Sequence, residues 1–153
     1  MGRARLTTLA LFAAVVAVAA GLPAAAEPTV VGSVKTAEGT CFVVRGETQF
    51  PVQAGERLFL ADTLRTGANG RLGVILRDDT VLSLGPGTEL SVERFTFEPA
   101  RGELEMVLRM LKGMASYISG QIAKLAPDAV RFETPVATIG VRGTRFLARV
   151  TPE

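Results

Sequence analysis

Arg71-Leu72-Gly73-Val74-Ile75-Leu76-Arg77-Asp78-Asp79-Thr80-Val81-Leu82-Ser83-Leu84 packs two strands and a turn into one short stretch. Leu72, Val74 and Leu76 fall on one face of an extended chain. Arg71, Gly73, Ile75 and Arg77 fall on the other, which is the period-two pattern of a half-buried strand. Asp78-Asp79 then turns the chain, and Val81-Leu82-Ser83-Leu84 returns it. The same grammar continues on both sides. Upstream lie Val30-Val31, Cys41-Phe42-Val43-Val44, Thr48-Gln49-Phe50-Pro51-Val52, Arg57-Leu58-Phe59 and Asp62-Thr63-Leu64-Arg65-Thr66, with turn chemistry at Glu38-Gly39, Arg45-Gly46-Glu47, Ala54-Gly55-Glu56 and Gly67-Ala68-Asn69-Gly70. Downstream, Gly85-Pro86-Gly87 breaks the pattern before Glu89-Leu90-Ser91-Val92-Glu93. Strands recurring every roughly 8–12 residues with turns between them predict an all-β sandwich, barrel or solenoid.

Residues 103–125 read two ways. Leu104, Met106, Leu108 and Met110 alternate as in a strand. Met106, Met110 and Met114 also fall at i, i+4 and i+8, and the segment has high helix propensity. Gly102, Gly113 and Gly120 keep any helix short, and the expectation is two strands joined near Gly113. The Met stripe is assigned to the core.

The first 26 residues read as an address. Arg3 and Arg5 form a positive n-region, Leu6 to Leu22 an apolar h-region, and Ala24-Ala25-Ala26 offers small residues for cleavage before Glu27. The two arginines are not adjacent, so the general secretory route is expected and the periplasm is the expected compartment, with the extracellular space beyond it. Membrane attachment is expected only through an uncleaved signal. The domain itself spans 27–153. The whole chain has 17 Lys+Arg and 15 Asp+Glu, and losing Arg3 and Arg5 leaves 15 of each. No basic face is visible, so nucleic acid is not an expected partner.

The composition has no His and no Trp. A Ser-His-Asp or Cys-His apparatus and imidazole metal sites are therefore outside its reach. A single Cys forms no intramolecular disulfide, and Cys41, inside an apolar run, is read as a buried small hydrophobe. An exported domain of about 127 residues must be held by its core, and that length suffices for one domain.

The stretch Thr134-Pro135-Val136-Ala137-Thr138-Ile139-Gly140-Val141-Arg142-Gly143-Thr144-Arg145-Phe146 combines a φ-fixing Pro, two Gly three apart in an apolar run, and two Arg flanking the second Gly. It resembles the closing motif of the FecR-like domain family, carried here by Thr134, Pro135, Ala137, Ile139, Gly140, Val141, Arg142, Gly143, Thr144 and Phe146. Gly55-Glu56-Arg57-Leu58 through Thr66-Gly67 is similar to that family's opening. Arg77 to Thr88 resembles its hairpin, with Asp79 where the family often has Gly. The resemblance covers roughly residues 32–150. It implies an all-β, short solenoid or sandwich-like stack of short strands.

Each candidate chemical group has a plain reading beside the functional one. Asp78-Asp79 lacks the further oxygen ligands of a Ca²⁺ loop and is read as a solvated hairpin turn. Gly85-Pro86-Gly87 opens no helix and is a turn, not a phosphate cradle. Arg142 is expected to clamp a neighbouring strand through Glu133 or Asp62, the alternative being capture of an acidic group of a partner. Gly140 and Gly143 are read as permitting a bend or close packing. Ser83, Ser91, Ser116 and Ser119 have no base beside them. No catalytic, cofactor or metal residue is assigned, and the motif residues are expected to be structural.

The resemblance implies a protein-interaction or signal-sensing module in envelope signalling, with an envelope protein as partner. With about five residues before its apolar run, and ending just after the motif, the chain is expected to lack the sigma-contacting and C-terminal receptor-contacting parts of the full regulators. Strand addition to an exposed edge is the expected binding mode. The competing reading is a cell-wall or surface polysaccharide-binding module, for which Tyr117 alone offers an amphipathic ring. A third, an enzyme, would have to work with Asp and Glu alone.

Overall fold

The computed structural model describes residues 24–143 and 145–152. Residues 1–23, which carry most of the signal-peptide reading, lie outside the described residues, as do Thr144 and Glu153. The described chain is all-β with one short helix, α1 (Gln121–Leu125). No described helix is long and apolar enough to cross a membrane.

Four long antiparallel strands form a meander, and each is bent once. The first consists of β1 (Val30–Glu38) and β2 (Cys41–Arg45), bent at Gly39-Thr40. After the short β3 (Thr48–Pro51) and β4 (Arg57–Phe59), the second consists of β5 (Thr63–Thr66) and β6 (Arg71–Leu76), bent at 67–70. The third consists of β7 (Val81–Leu84) and β8 (Glu89–Glu98), bent at 85–88. The fourth is the single strand β9 (Glu103–Ile118), bent at Gly113.

The ladder runs β2–β5–β8–β9 on one side of the bend and β1–β6–β7–β9 on the other. One sheet therefore curls over on itself like half a barrel. Outside the first strand, β3 and β4 extend the two halves. Outside the fourth, β10 (Val130–Glu133), β11 (Thr138–Gly140) and β12 (Arg145–Val150) do the same. Every pairing is antiparallel except β9 with β10.

The bend is held by Thr and Gly backbone contacts. Gly67 N–H donates to Thr40 O at 2.8 Å, and Gly87 N–H donates to Gly67 O at 3.0 Å. Thr88 Oγ1 both donates to Met114 O and accepts from Met114 N–H, each at 3.0 Å. At Gly113 φ is +96°, and a Cβ there would run into Thr88 Cα. Only glycine meets both demands. The bend also shifts the inward parity of β9. Met106, Leu108 and Met110 point inward before it, and Ala115 and Tyr117 after it.

One core fills the fold. Val34, Leu58, Leu72, Val74 and Leu82 from one half meet Val43, Leu64, Leu90, Val92 and Leu108 from the other. Each fully buried side chain of this kind contributes about 1.5–3 kcal/mol. The alternation of residues 71–84 is reproduced position by position, with Leu72, Val74, Leu76, Leu82 and Leu84 inside. Cys41 is buried in the core, as expected.

Three expectations are corrected. The strands do not stack as solenoid coils: tight hairpins such as residues 77–80 return the chain antiparallel, whereas coils stack parallel. The sandwich-like element survives as two half-sheets facing one core. Residues 103–118 form one bent strand instead of two joined strands, and Met114 leaves the Met stripe because the parity shift turns it to the outer face, where it touches Arg149. Finally, Asp78 is not solvated. It is fully buried, and its carboxylate accepts from Thr80 N–H (3.2 Å), Thr80 Oγ1 (2.9 Å) and Ile122 N–H (3.2 Å). The reason is α1, which lays its first turn over the hairpin. Asp79, at φ +67°, takes the left-handed position that Asp tolerates and stays exposed.

Candidate functional site

The closing motif builds a surface groove from its own backbone. β10 seats Phe132 in the core, and Phe146 of β12 meets it edge-on at 5.2 Å while stacking on Tyr117 at 4.9 Å. These rings anchor both ends of the motif. Between them Thr134 closes a tight turn. Its N–H donates to Ala137 O at 2.8 Å, and its hydroxyl accepts from Ala137 N–H at 3.1 Å. Pro135 and Val136 are pushed to the tip, where Val136 is 88% exposed. β11 then pairs back on β10 in the register Phe132 to Ile139. Val141 plugs the core, and Gly143 O accepts from Ser119 Oγ at 2.5 Å.

The groove lies between the 134–139 hairpin and β12, with a volume of about 830 Å³. Leu111, Pro135, Val136, Ile139, Leu147 and Val150 line it, and Arg149 is its charged member. Leu147 is 66% exposed, and Leu111 and Ile139 are also exposed. A cluster of large apolar side chains left in water is the informative feature of this surface, since isolated ones are ordinary. Two strand edges flank it. Among the described residues β11 pairs only with β10, and β12 only with β9.

Arg142 does not make the expected clamp. It is 83% exposed and its partner is Asp128, itself exposed, at 3.3 Å. Glu133 pairs instead with Arg109 at 3.0 Å, and that hydrogen bond raises the Arg109 pKa above its ordinary value. Asp62 is held bidentately by Arg45, at 2.7 Å on each oxygen, and also accepts from Phe59 N–H at 2.9 Å. The Arg45 guanidinium lies over the Phe59 ring, and its hydrogen bond to Asp62 raises its pKa. The strand clamp of this fold is thus Arg45 on the buried carboxylate of Asp62, and Arg142 has no part in it. Sequence reading missed Arg45 because it stands at a turn. Gly140 and Gly143 are uncrowded: a Cβ at Gly140 meets nothing within 4 Å. Tyr117, the one ring offered for sugar stacking, is wholly buried.

The fold and this surface define an all-β module whose most distinctive exposed feature is an apolar groove between two strand edges. The profile of the FecR family, described as FecR protein, matches residues 62–153, from the start of the second long strand onward. The chain belongs to the FecR family. No curated protein and no solved structure matched it.

Proposed function

We propose that this protein is an exported, periplasmic interaction module of envelope signalling, and that its partner docks in the groove formed by the closing motif. Its family membership supports a regulatory role, and the exposed cluster of Leu111, Val136, Ile139 and Leu147 is the observation that carries the docking site. Open strand edges beside apolar pockets suit binding by strand addition, where backbone hydrogen bonds supply affinity and the pockets supply selectivity.

The test is capture of a membrane or signalling protein from envelope extract on the tagged protein, compared with Val136→Asp and Leu147→Asp. Both side chains are exposed, so the variants are expected to fold, which circular dichroism checks. A specific partner lost from both variants supports the reading. A partner retained equally by both removes the groove from it. Cell fractionation of the full-length protein tests the compartment, and cytoplasmic retention would overturn that part.

A further inference from the structure

The charges along β12 specify the partner of the groove more closely, on the basis of the interaction reading above. We propose that the partner is an extended segment that adds to the free edge of β12 and carries an acidic, an apolar and an acidic residue at alternate positions of one face. Along β12 the solvent face presents Arg145, Leu147 and Arg149 at i, i+2 and i+4. On an added strand the residues directly opposite share that face, and opposite charges there are favourable. The required pattern reads the same in both directions, so it holds for parallel and antiparallel addition. The intervening residues of the added strand share the face of Phe146, Ala148 and Val150 and are apolar.

The rest of the surface sharpens the point. Arg45, Arg65, Arg94, Arg109, Arg131 and Arg142 each have a carboxylate within 4.0 Å. Among the described residues Arg57, Arg71, Arg77, Arg101, Arg145 and Arg149 have none, and of these Arg145 and Arg149 stand together on one open edge strand, β12; the contact of Arg149 is the thioether of Met114, at 3.6 Å. The cationic pair on the open edge is therefore uncompensated within the chain, while the face of the other half-sheet neutralises itself. A second copy is a poor occupant. Antiparallel β12–β12 pairing centred on Leu147 sets Arg145 against Arg149 twice, and in-register parallel pairing sets each Arg against itself, so like charges oppose each other in both of these full-length registers.

The experiment uses the purified protein and a fluorescein-labelled nine-residue peptide with Glu, Ile and Glu at its third, fifth and seventh positions and Val elsewhere. A second peptide has Lys in place of both Glu. Fluorescence anisotropy is expected to show the Glu peptide binding about thirtyfold tighter than the Lys peptide, from two cross-strand pairs of about 1 kcal/mol each. The double variant Arg145→Glu/Arg149→Glu, checked for folding by circular dichroism, is expected to reverse the preference. Equal binding of both peptides, or binding of neither, overturns the proposal. So does a preference unchanged in the double variant. Binding to anionic phospholipid vesicles in the absence of any peptide preference also overturns it and assigns the two arginines to a lipid surface. The docking reading falls separately, by its own Val136→Asp and Leu147→Asp comparison.

Discussion

Replacing Asp78 by Ala removes the acceptor for three buried donors: Thr80 N–H, Thr80 Oγ1 and Ile122 N–H. Each orphaned donor costs about 1–3 kcal/mol. Relief from burying a carboxylate offsets part of the sum. The expected net loss is about 3–5 kcal/mol, a large share of the roughly 5–15 kcal/mol of a whole domain. Urea unfolding followed by circular dichroism would show the midpoint falling by about 2 M, at a slope of about 2 kcal/mol per M. Asp78→Asn keeps one acceptor oxygen and is expected to lose about half as much, which preserves the test if the Ala variant does not fold. The neighbouring Asp79→Gly is the control. It gives up one exposed hydrogen bond from Gln121, at 2.7 Å, and relieves a left-handed φ, so it should stay within about 1 kcal/mol of the parent. An Asp78→Ala loss below about 1 kcal/mol, or one equal to that of Asp79→Gly, would refute the claim that Asp78 ties the hairpin to α1.

Gly113→Val places a branched side chain at φ +96° against Thr88 and should cost at least about 3 kcal/mol; a thermal melt within a few degrees of the parent would mean the fourth strand bends elsewhere. Burial raises the pKa of Tyr117, whose hydroxyl lies against Thr80 and Ser119 without reaching hydrogen-bond geometry with either. Above pH of about 10 the unfolded chain releases this proton while the folded chain retains it, so folding stability should fall as pH rises through that range. Tyr117→Phe should remove the part of the fall due to this group, leaving that of Cys41, and cost little at pH 7. As the sole Tyr, its titration can be read directly by ultraviolet absorbance, and an ordinary midpoint in the folded protein would contradict the burial. Burial also raises the pKa of the Cys41 thiol, which donates to Glu38 O and Arg71 O at 3.3 Å. A thiol reagent should therefore label it only at the rate of unfolding, and immediate labelling of the native protein would place it at the surface.

Much of this fold was legible in the chain because its strand signal is local. Alternation at residues 71–84 and glycines between short apolar runs specify which residues face inward and where strands end, through contacts spanning only a few positions. The closing motif was legible too, as a family signature, and its Phe146 is seated as a core ring. Other features arise only when distant segments meet. Whether the strands coil or fold over was decided by the corner, where the bonds Gly67–Thr40, Gly87–Gly67 and Thr88–Met114 join segments between 20 and 27 residues apart. Asp78 looked like a wet turn because nothing near it in sequence covers it; α1, 44 residues later, does. The strand clamp expected at Arg142 is made by Arg45, since Asp62 lies across the sheet from β2 and not near the closing motif. The groove itself is a product of assembly. Val136, Ile139 and Leu147 are apolar residues of an ordinary β pattern, and only the docking of β10 and β12 on opposite halves of a bent β9 leaves them facing water, because a strand's period sets which residues share a face while the packing of the whole sheet sets whether that face is covered.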